Sequence, residues 1–401
     1  MGRPADDLAR WIPRLLAHWR RGRRDAPRGP RPPPDRLTPP ELREVAAGVE
    51  RLSRGLTRER ALAGERYLDD PRLLGAYLLF YWPVSYLQAR GVLSELPGAP
   101  RSVLDLGSGP GPLALAALDA GAAEALCADR AARALAAARA LAGEARLALE
   151  TRPWDPARGA PLASLAAGRR LDAVTLGHVL NELSLGPGGE GDVERRAALL
   201  AEAAGLLAPG GSVVVIEPAL RDTSRALLRV RDLLVARGLA VRAPCLFRGP
   251  CPALRKESDW CHAERPIEPP PLVAEIGKAA GLRKEAVKMS YLVLAPPGEG
   301  WAEPPPGRLF RIVSEPLPSK GRLRYMGCGP EGRLGLALQE KHVGEPNRRF
   351  ERLLRGDVVE LSEVEPRGDG LRLGPGSSVR LVAAAGSPVP AATAPPPGAT
   401  R

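Results

Sequence analysis

The sequence predicts an α/β protein: a Rossmann-like, mostly parallel sheet, preceded by a layer of helices and followed by a small β-barrel of OB-like type. Three observations carry that expectation. From Arg101 to Leu294 short apolar runs alternate with alanine- and leucine-rich stretches of helical length. That is the rhythm of βαβ units, whose right-handed crossovers cover a parallel sheet on both faces. At the head of this region the run Ser102–Leu106 ends in Gly107, Gly109 and Gly111, at alternate positions. Beyond a stretch rich in Pro, Gly and Glu at 296–306, short apolar runs are separated by Gly and Pro, as in small barrels.

Composition sets the bounds. A chain of 401 residues with 44% apolar content can hold two or three domains. No apolar run approaches the roughly 18–20 residues of a membrane span, so no membrane partner is expected. No secretory h-region follows Met1, and with five Cys this argues against a disulfide framework. The formal charge is +12, and residues 1–36, with ten Arg and four Asp, carry half of it. Such a balance suits an anionic partner, most often nucleic acid. Arg, Ala, Gly and Pro are inflated together, as a GC-rich genome also produces, which discounts the charge as functional evidence.

The expected layout is a disordered basic arm (1–36), a helical layer (37–98), an α/β domain (99–296) with a cysteine-bearing insertion (243–266), a small barrel (303–384) and a disordered tail (385–401). In the arm, Leu8, Trp11, Leu15, His18 and Trp19 could share one face of a short basic helix, which Pro32–Pro34 ends. Asp6, Asp7 and Asp25 fit a mitochondrial presequence poorly, and an RNA-touching arm is preferred. In the helical layer, Thr38-Pro-Pro-Glu41 resembles a capping box with Pro at the first helical position. Six of the chain's sixteen aromatics fall here, Tyr67, Tyr77, Phe80, Tyr81, Trp82 and Tyr86. They are expected in the core against the next domain rather than stacked on bases.

The glycine loop follows the first strand. Gly can take φ > 0 and lets a ligand approach the backbone, and a helix N-terminus behind it offers free N–H groups. The spacing G-x-G-x-G, preceded by Asp105, is neither the dinucleotide fingerprint nor a P-loop. D-x-G-x-G-x-G after a strand resembles the first motif of the class I S-adenosylmethionine (SAM) methyltransferases. In that family the loop passes under the methionine part of the cofactor.

Ala125–Asp129 reads as the second strand, and Asp129 lies eighteen residues beyond Gly111. An acid there can accept hydrogen bonds from both ribose hydroxyls, or it caps the next helix. Cys127 is expected buried. Ala145–Glu150 is the expected third strand, followed by Trp154-Asp155. In the methyltransferase family an acid at the position of Asp155 often meets the adenine amine. The fourth strand, Leu171–Leu176, runs into Gly177-His-Val-Leu-Asn-Glu-Leu183. Carboxyl ends of parallel strands form the crevice of such folds, so His178, Asn181 and Glu182 are the candidate catalytic residues. A loop at Gly186–Gly191 could be a lid. Ser212–Ile216 reads as the fifth strand, Asp222–Gly238 and Leu272–Gly281 as helices and Val287–Leu294 as the final strand. Barrel strands are expected at Leu309–Val313, Arg322–Met326, Arg333–Leu338, Val358–Val364 and Leu371–Leu373.

Cys245, Cys251 and Cys261, with Cys328 far along the chain, could form one site. The paired C-x₂₋₄-C spacing of structural zinc is missing, and iron–sulfur clusters are also held by four thiolates. On spacing alone a cluster, zinc and free thiols all stay open, with His262 as an alternative ligand.

The SAM loop Asp105–Gly111, the segment 177–183 and the four-cysteine set occur together here, with Tyr81-Trp-Pro-Val-Ser-Tyr86 before them. Together they resemble the methyltransferase-like assembly factors of the mitochondrial small ribosomal subunit and their bacterial relatives, over about residues 40–345. The resemblance implies SAM bound by Asp105, Gly107, Gly109, Gly111, Asp129 and Asp155. It also implies a [4Fe–4S] cluster on Cys245, Cys251, Cys261 and Cys328, and a place on small-subunit rRNA during assembly. The expected location is the bacterial cytoplasm, or the mitochondrion in a eukaryote, and the expected state is a monomer. An N/D-P-P-Y/F segment, common in amine methylation of bases, is replaced here by Gly177-His-Val-Leu180, and no Cys stands near for cytosine C5 chemistry. The expected activity is SAM-dependent methylation of rRNA. The alternative is a non-catalytic rRNA-binding factor that keeps SAM and the cluster as structural ligands; a small-molecule methyltransferase is a third reading.

Overall fold

A computed structural model describes residues 4–23, 32–183, 190–282, 285–300 and 307–390. The lid expected at 186–191, the linker at 296–306 and the tail at 385–401 lie wholly or partly outside these residues.

The α/β expectation holds. The first sheet has eight strands: β1 (Ser102–Leu106), β2 (Glu124–Asp129), β3 (Leu149–Pro153), β4 (Leu171–Gly177), β5 (Leu207–Pro218), β6 (Val241–Ala243), β7 (Ala263–Pro266) and β8 (Ala286–Leu294). Its order is β3-β2-β1-β4-β5-β8-β6, with β7 also on β8. The strands from β3 to β5 are parallel, and β8 runs antiparallel to β5. The chain direction across the sheet reverses between β1 and β4, which opens the crevice at their carboxyl ends. Alternate residues face opposite sides. Val103, Ala125, Cys127 and Val214 join the core on one face, and Leu104, Leu106, Leu126 and Val213 that on the other. Both faces are buried, so these strands read as apolar runs rather than alternations.

One difference from the sequence reading lies in the third strand, which starts at Leu149 and not at Ala145. The preceding helix, α6 (Ala132–Ala145), carries its alanine pattern through those residues, and Arg146 ends it with φ 56°. Two further strands join the sheet, β6 leading into the insertion and β7 at its end, and both pair with β8.

Ahead of the sheet stand α1 (Pro4–Arg21), α2 (Pro39–Ser53), α3 (Pro71–Ala76) and α4 (Trp82–Leu93). The expected capping box is present: Glu41 accepts from the Thr38 N–H at 2.8 Å. The expectation of a disordered arm is overturned for residues 4–21. Helix α1 buries Leu8, Trp11, Leu15, Leu16 and Trp19. Trp11 donates to Asp119 at 2.6 Å, and Asp7 pairs with buried Arg90 at 2.6 Å. The apolar stripe at helical spacing decides the outcome: the Arg-rich face stays outside while the stripe joins the core.

The aromatics divide. Phe80, Trp82 and Tyr86 are fully buried, with Trp82 5.5 Å from Trp11 and 5.3 Å from Tyr86 between ring centroids. Tyr67, Tyr77 and Tyr81 instead wall the crevice.

The second sheet holds β9 (Arg308–Ile312), β10 (Leu317–Ser319), β11 (Arg322–Gly329), β12 (Gly332–Gln339), β13 (Val358–Arg367) and β14 (Gly370–Ala383). Pairing runs β11-β12-β14-β13-β9 and returns from β9 to β11, so five strands close on themselves, with β10 added outside β11. Phe310, Ile312, Tyr325, Leu336, Phe350 and Leu373 fill the interior. The last strand is far longer than the expected 371–373, because the Gly-Pro-Gly at 374–376 stays in the strand while β13 opposite it shifts register.

A buried carboxylate ties the layers. Glu95, just past α4, accepts from the Tyr291 hydroxyl of β8 at 2.8 Å, pairs with Arg265 of β7 and lies 3.6 Å from Arg311 of β9.

Candidate functional site

The crevice at the strand ends is a cavity of about 330 Å³. Its floor is the glycine loop. Gly107, Gly109 and Gly111 all have positive φ, at 63°, 52° and 74°. A Cβ on Gly107 would lie 2.5 Å from a Val179 methyl, and one on Gly111 3.3 Å from the Cys127 sulfur; on Gly109 the nearest atom is Leu68 Cδ1 at 3.4 Å. Gly107 and Gly111 are therefore glycines because protein packs on them, whereas at Gly109 a Cβ would make only ordinary van der Waals contact. Trp82 donates to the Pro110 carbonyl at 3.1 Å and fixes the loop from behind.

Asp129, at the end of β2, lines the crevice. One carboxylate oxygen accepts the Gly109 N–H at 2.8 Å and the other the Ala131 N–H at 2.7 Å. It thus serves the turn into α6 and the glycine loop together, and each oxygen keeps a lone pair. Burial raises its pKa, against these hydrogen bonds. Asp105 lies outside the crevice lining. Its carboxylate accepts from Thr175 at 2.7 Å and from the Ala114 N–H at 3.2 Å, and burial pushes its pKa up to about 7. It braces β1 to β4 and α5 (Pro112–Asp119). Asp155 is likewise outside the lining and caps the turn 156–158 through the Ala157 N–H at 3.1 Å. Its neighbours Trp154 and Pro156 do line the cavity, and the buried Trp154 Nε1–H has no hydrogen-bond partner.

His178, Asn181 and Glu182 come together on the opposite wall. His178 holds φ 61°, an uncommon conformation for a non-glycine residue, and its Nε2 is 2.9 Å from Gln88 Oε1. Gln88 also donates to the Lys288 carbonyl at 2.9 Å. Asn181 is held by Arg60, which donates to its side-chain oxygen at 2.8 Å and to its carbonyl at 2.5 Å. Glu182 accepts from Tyr67 at 3.0 Å. Glu217, at the end of β5, accepts the N–H groups of Leu180 and Asn181 at 2.9 and 3.0 Å, which shapes the turn. Burial, with Glu217 close by, pushes Glu182 up to about 8, and burial pushes Glu217 up to about 7.

Sequence reasoning missed Arg60, Tyr67, Gln88 and Glu217. For Glu217 a signal existed, since the rule that singled out the end of β4 applies equally to β5. The other three come from the helical layer, and no spacing relates them to the crevice.

The four cysteines meet at a second cavity, of about 60 Å³, between the two sheets. Cys245 follows β6, Cys251 and Cys261 flank the insertion's loop, and Cys328 lies in β11. Neighbouring α9 (Arg221–Ala236) shapes the loop: Arg231 donates to the Phe247 carbonyl at 2.7 Å, and Asp232 accepts the Cys251 N–H at 3.0 Å. Burial raises the thiol pKa values of Cys251, to about 12, and of Cys261 and Cys328, and the neighbouring sulfurs add to each shift. His262 lines the same cavity, but its Nε2 takes a 2.5 Å bond from Arg355. Burial and Arg355 together lower its pKa to about 4. Among the described residues no three His, Cys, Asp or Glu form a group set to hold a single metal ion. Cys127, buried beneath Gly111, stands apart.

A family model described as "Mitochondrial small ribosomal subunit Rsm22" matches residues 75–360. No curated protein matches the chain. Among solved structures, TrmN from Thermus thermophilus is similar at 20% identity, over 55% of this chain and 53% of its own, with a TM-score of 0.33. A methyltransferase from Pyrococcus furiosus is similar at 12% identity, over 52% and 81%, with a TM-score of 0.34. No described helix is long and apolar enough to cross a membrane.

Proposed function

Because the chain belongs to the Rsm22 family of the mitochondrial small ribosomal subunit, we propose that it binds SAM in the strand-end crevice and methylates small-subunit rRNA during ribosome assembly. The observation that carries this reading is the glycine loop. It presents bare backbone at Gly109 to a crevice walled by Asp129 on one side and His178, Asn181 and Glu182 on the other.

The residues present suit SAM. Asp129 keeps lone pairs for ribose hydroxyls, the unpartnered Trp154 Nε1–H offers a donor, and Glu182 offers a carboxyl group to a cationic ligand. Gly107, Gly109 and Gly111 would lie under the methionine part. The contact with adenine assigned to Asp155 passes to its neighbours Trp154 and Pro156, and Asp105 acts by bracing the loop. When bound, SAM supplies a methyl group on a sulfonium, whose transfer is mainly a matter of alignment and charge. Gln88 would hold the His178 ring toward the acceptor. The proton that an N–H or O–H acceptor gives up on methylation would pass to Glu182, whose raised pKa makes its carboxylate form the better base.

The four-thiol cavity supports a [4Fe–4S] cluster. The reading rests on four thiols from distant stretches of the chain lining one cavity, the ligand number that such a cluster takes. Cys245, Cys251, Cys261 and Cys328 would hold it, joining the α/β sheet to the barrel. In the barrel β9 pairs with both β11 and β13, and β12 runs parallel to β14. We read it as an OB-type barrel with an rRNA-facing surface. The protein would act as a monomer where the subunit is assembled, in bacterial cytoplasm or the mitochondrion.

A second reading is a non-catalytic assembly factor that keeps SAM as a structural ligand. It is favoured by one observation: His178, Asn181 and Glu182 are each already engaged by Gln88, Arg60 or Tyr67 of the helical layer. Tritium transfer from labelled SAM to small-subunit rRNA separates the two. Transfer lost in His178→Ala supports the enzyme. No transfer, with intact subunit binding, supports the factor.

A further inference from the structure

Two of the arginines lining the cysteine cavity have buried guanidinium nitrogens that no protein group satisfies. In the barrel, Cys328 is directly opposite Arg311 of β9 on one side and directly opposite Arg333 of β12 on the other. Directly opposed residues share a face, with Cβ atoms about 4.5–5.5 Å apart. Register therefore sets an arginine on each flank of Cys328, and all three residues line the cavity.

Arg311 is the sharper case. Its side chain is 6% exposed. Nη1 donates to the Gly356 carbonyl at 3.0 Å, while Nε and Nη2 are buried without a hydrogen bond. Its one close carboxylate among the described residues, Glu95 at 3.6 Å, already serves Arg265 and the Tyr291 hydroxyl. The Arg333 Nε is also buried without a hydrogen bond, and its nearest carboxylate is Asp259 at 3.6 Å. A guanidinium cannot shed its proton in a protein, and leaving one buried and poorly paired is strongly unfavourable. The positions make sense when the cavity holds an anion. Four thiolates around a dicationic iron–sulfur core leave a net dianion.

We propose that Arg311 and Arg333 form a cationic collar on either side of Cys328 that retains an anionic metal–thiolate centre, with Arg311 as its main positioning residue. This rests on the cluster reading above. The collar's N–H groups would meet cluster or cysteine sulfur, as outer partners do at other metal sites.

The test compares the full chain with Arg311→Met and Arg311→Lys, each reconstituted anaerobically with iron and sulfide. Iron per chain, visible absorbance and the rate of iron loss to a chelator are measured, together with melting temperatures of metal-free and loaded protein. Arg311→Met should lose iron about tenfold faster than the parent, with Arg311→Lys in between. Metal-free Arg311→Met should melt no lower than the parent, because an unpaired buried charge is gone, yet loaded Arg311→Met should melt below loaded parent. Equal iron retention overturns the proposal. So does an equal loss of stability in both states, which would make Arg311 a strut for Glu95 and Gly356 only. A parent chain that takes up no iron ends the cluster reading. The metal-free melts then still decide: a destabilised Arg311→Met overturns the collar, and a stabilised one supports a cationic cavity built for another anion.

Discussion

Gly107 and Gly109 lie two residues apart and share a positive φ, yet their alanine variants should fail in different ways. At Gly107 (φ 63°) the added Cβ would stand 2.5 Å from a Val179 methyl. The left-handed backbone costs roughly 1–2 kcal/mol for a residue with a Cβ, and the overlap about 1–3 kcal/mol more. Gly107→Ala should therefore lose about 2–5 kcal/mol of folding stability, a large part of a typical total. At Gly109 (φ 52°) the nearest atom is 3.4 Å away, so only the backbone cost of roughly 1–2 kcal/mol applies. Its methyl group enters the crevice instead, and SAM affinity should drop by an order of magnitude or more. Urea unfolding reads the first effect and calorimetry with SAM the second. A Gly107→Ala, Val179→Ala double variant should recover part of the overlap cost, a coupling that a double-mutant cycle isolates. Equal stability losses at the two glycines, or undiminished SAM affinity in Gly109→Ala, would refute the division between a packed glycine and a ligand-facing one.

Other outcomes follow from the same geometry. Trp11→Ala should cost about 3–5 kcal/mol by urea unfolding, since it empties a buried site beside Trp82; a change near zero would return α1 to the status of a loose arm. Glu182 is raised to about 8 from its ordinary 4.5, so the folded state binds the extra proton. Its contribution to stability is complete below pH 4.5 and is lost as pH rises through 8. Glu182→Gln should flatten this part of the stability profile by on the order of 1–3 kcal/mol, the crevice's solvent screening part of the effect; an unchanged profile contradicts the burial argument. Anaerobically purified protein should be brown with about four irons per chain. Cys328→Ser should bleach it while SAM binding survives, and stoichiometric zinc in a colourless protein would replace the cluster with a zinc clamp.

The sheet was legible because its strands are continuous apolar runs closed by Gly and Asp, so Val103–Gly111 and Leu171–Gly177 announce both strand and turn. Gly107, Gly109, Gly111 and Asp129 could be found because one supersecondary unit places them. Residues 4–21 were misread because ten arginines in the first 36 positions outweighed a stripe of Leu and Trp that needs a partner to fold against. The third strand slipped because alanine suits the end of α6 as well as the start of a strand. Arg60, Tyr67 and Gln88 reach the crevice from a separate layer, through contacts such as Arg60–Asn181 that span 121 positions. The flanking of Cys328 by Arg311 and Arg333 is a matter of register between strands, which sequence spacing does not report.

Whether SAM occupies the crevice between Asp129 and His178 is decided by titration calorimetry of SAM into the full chain and into Asp129→Ala. One site per chain is expected, with an affinity loss in the variant worth roughly 1.5–3 kcal/mol, the value of hydrogen bonds to a charged group. No heat of binding to the parent chain, or equal affinity in the two proteins, would contradict it.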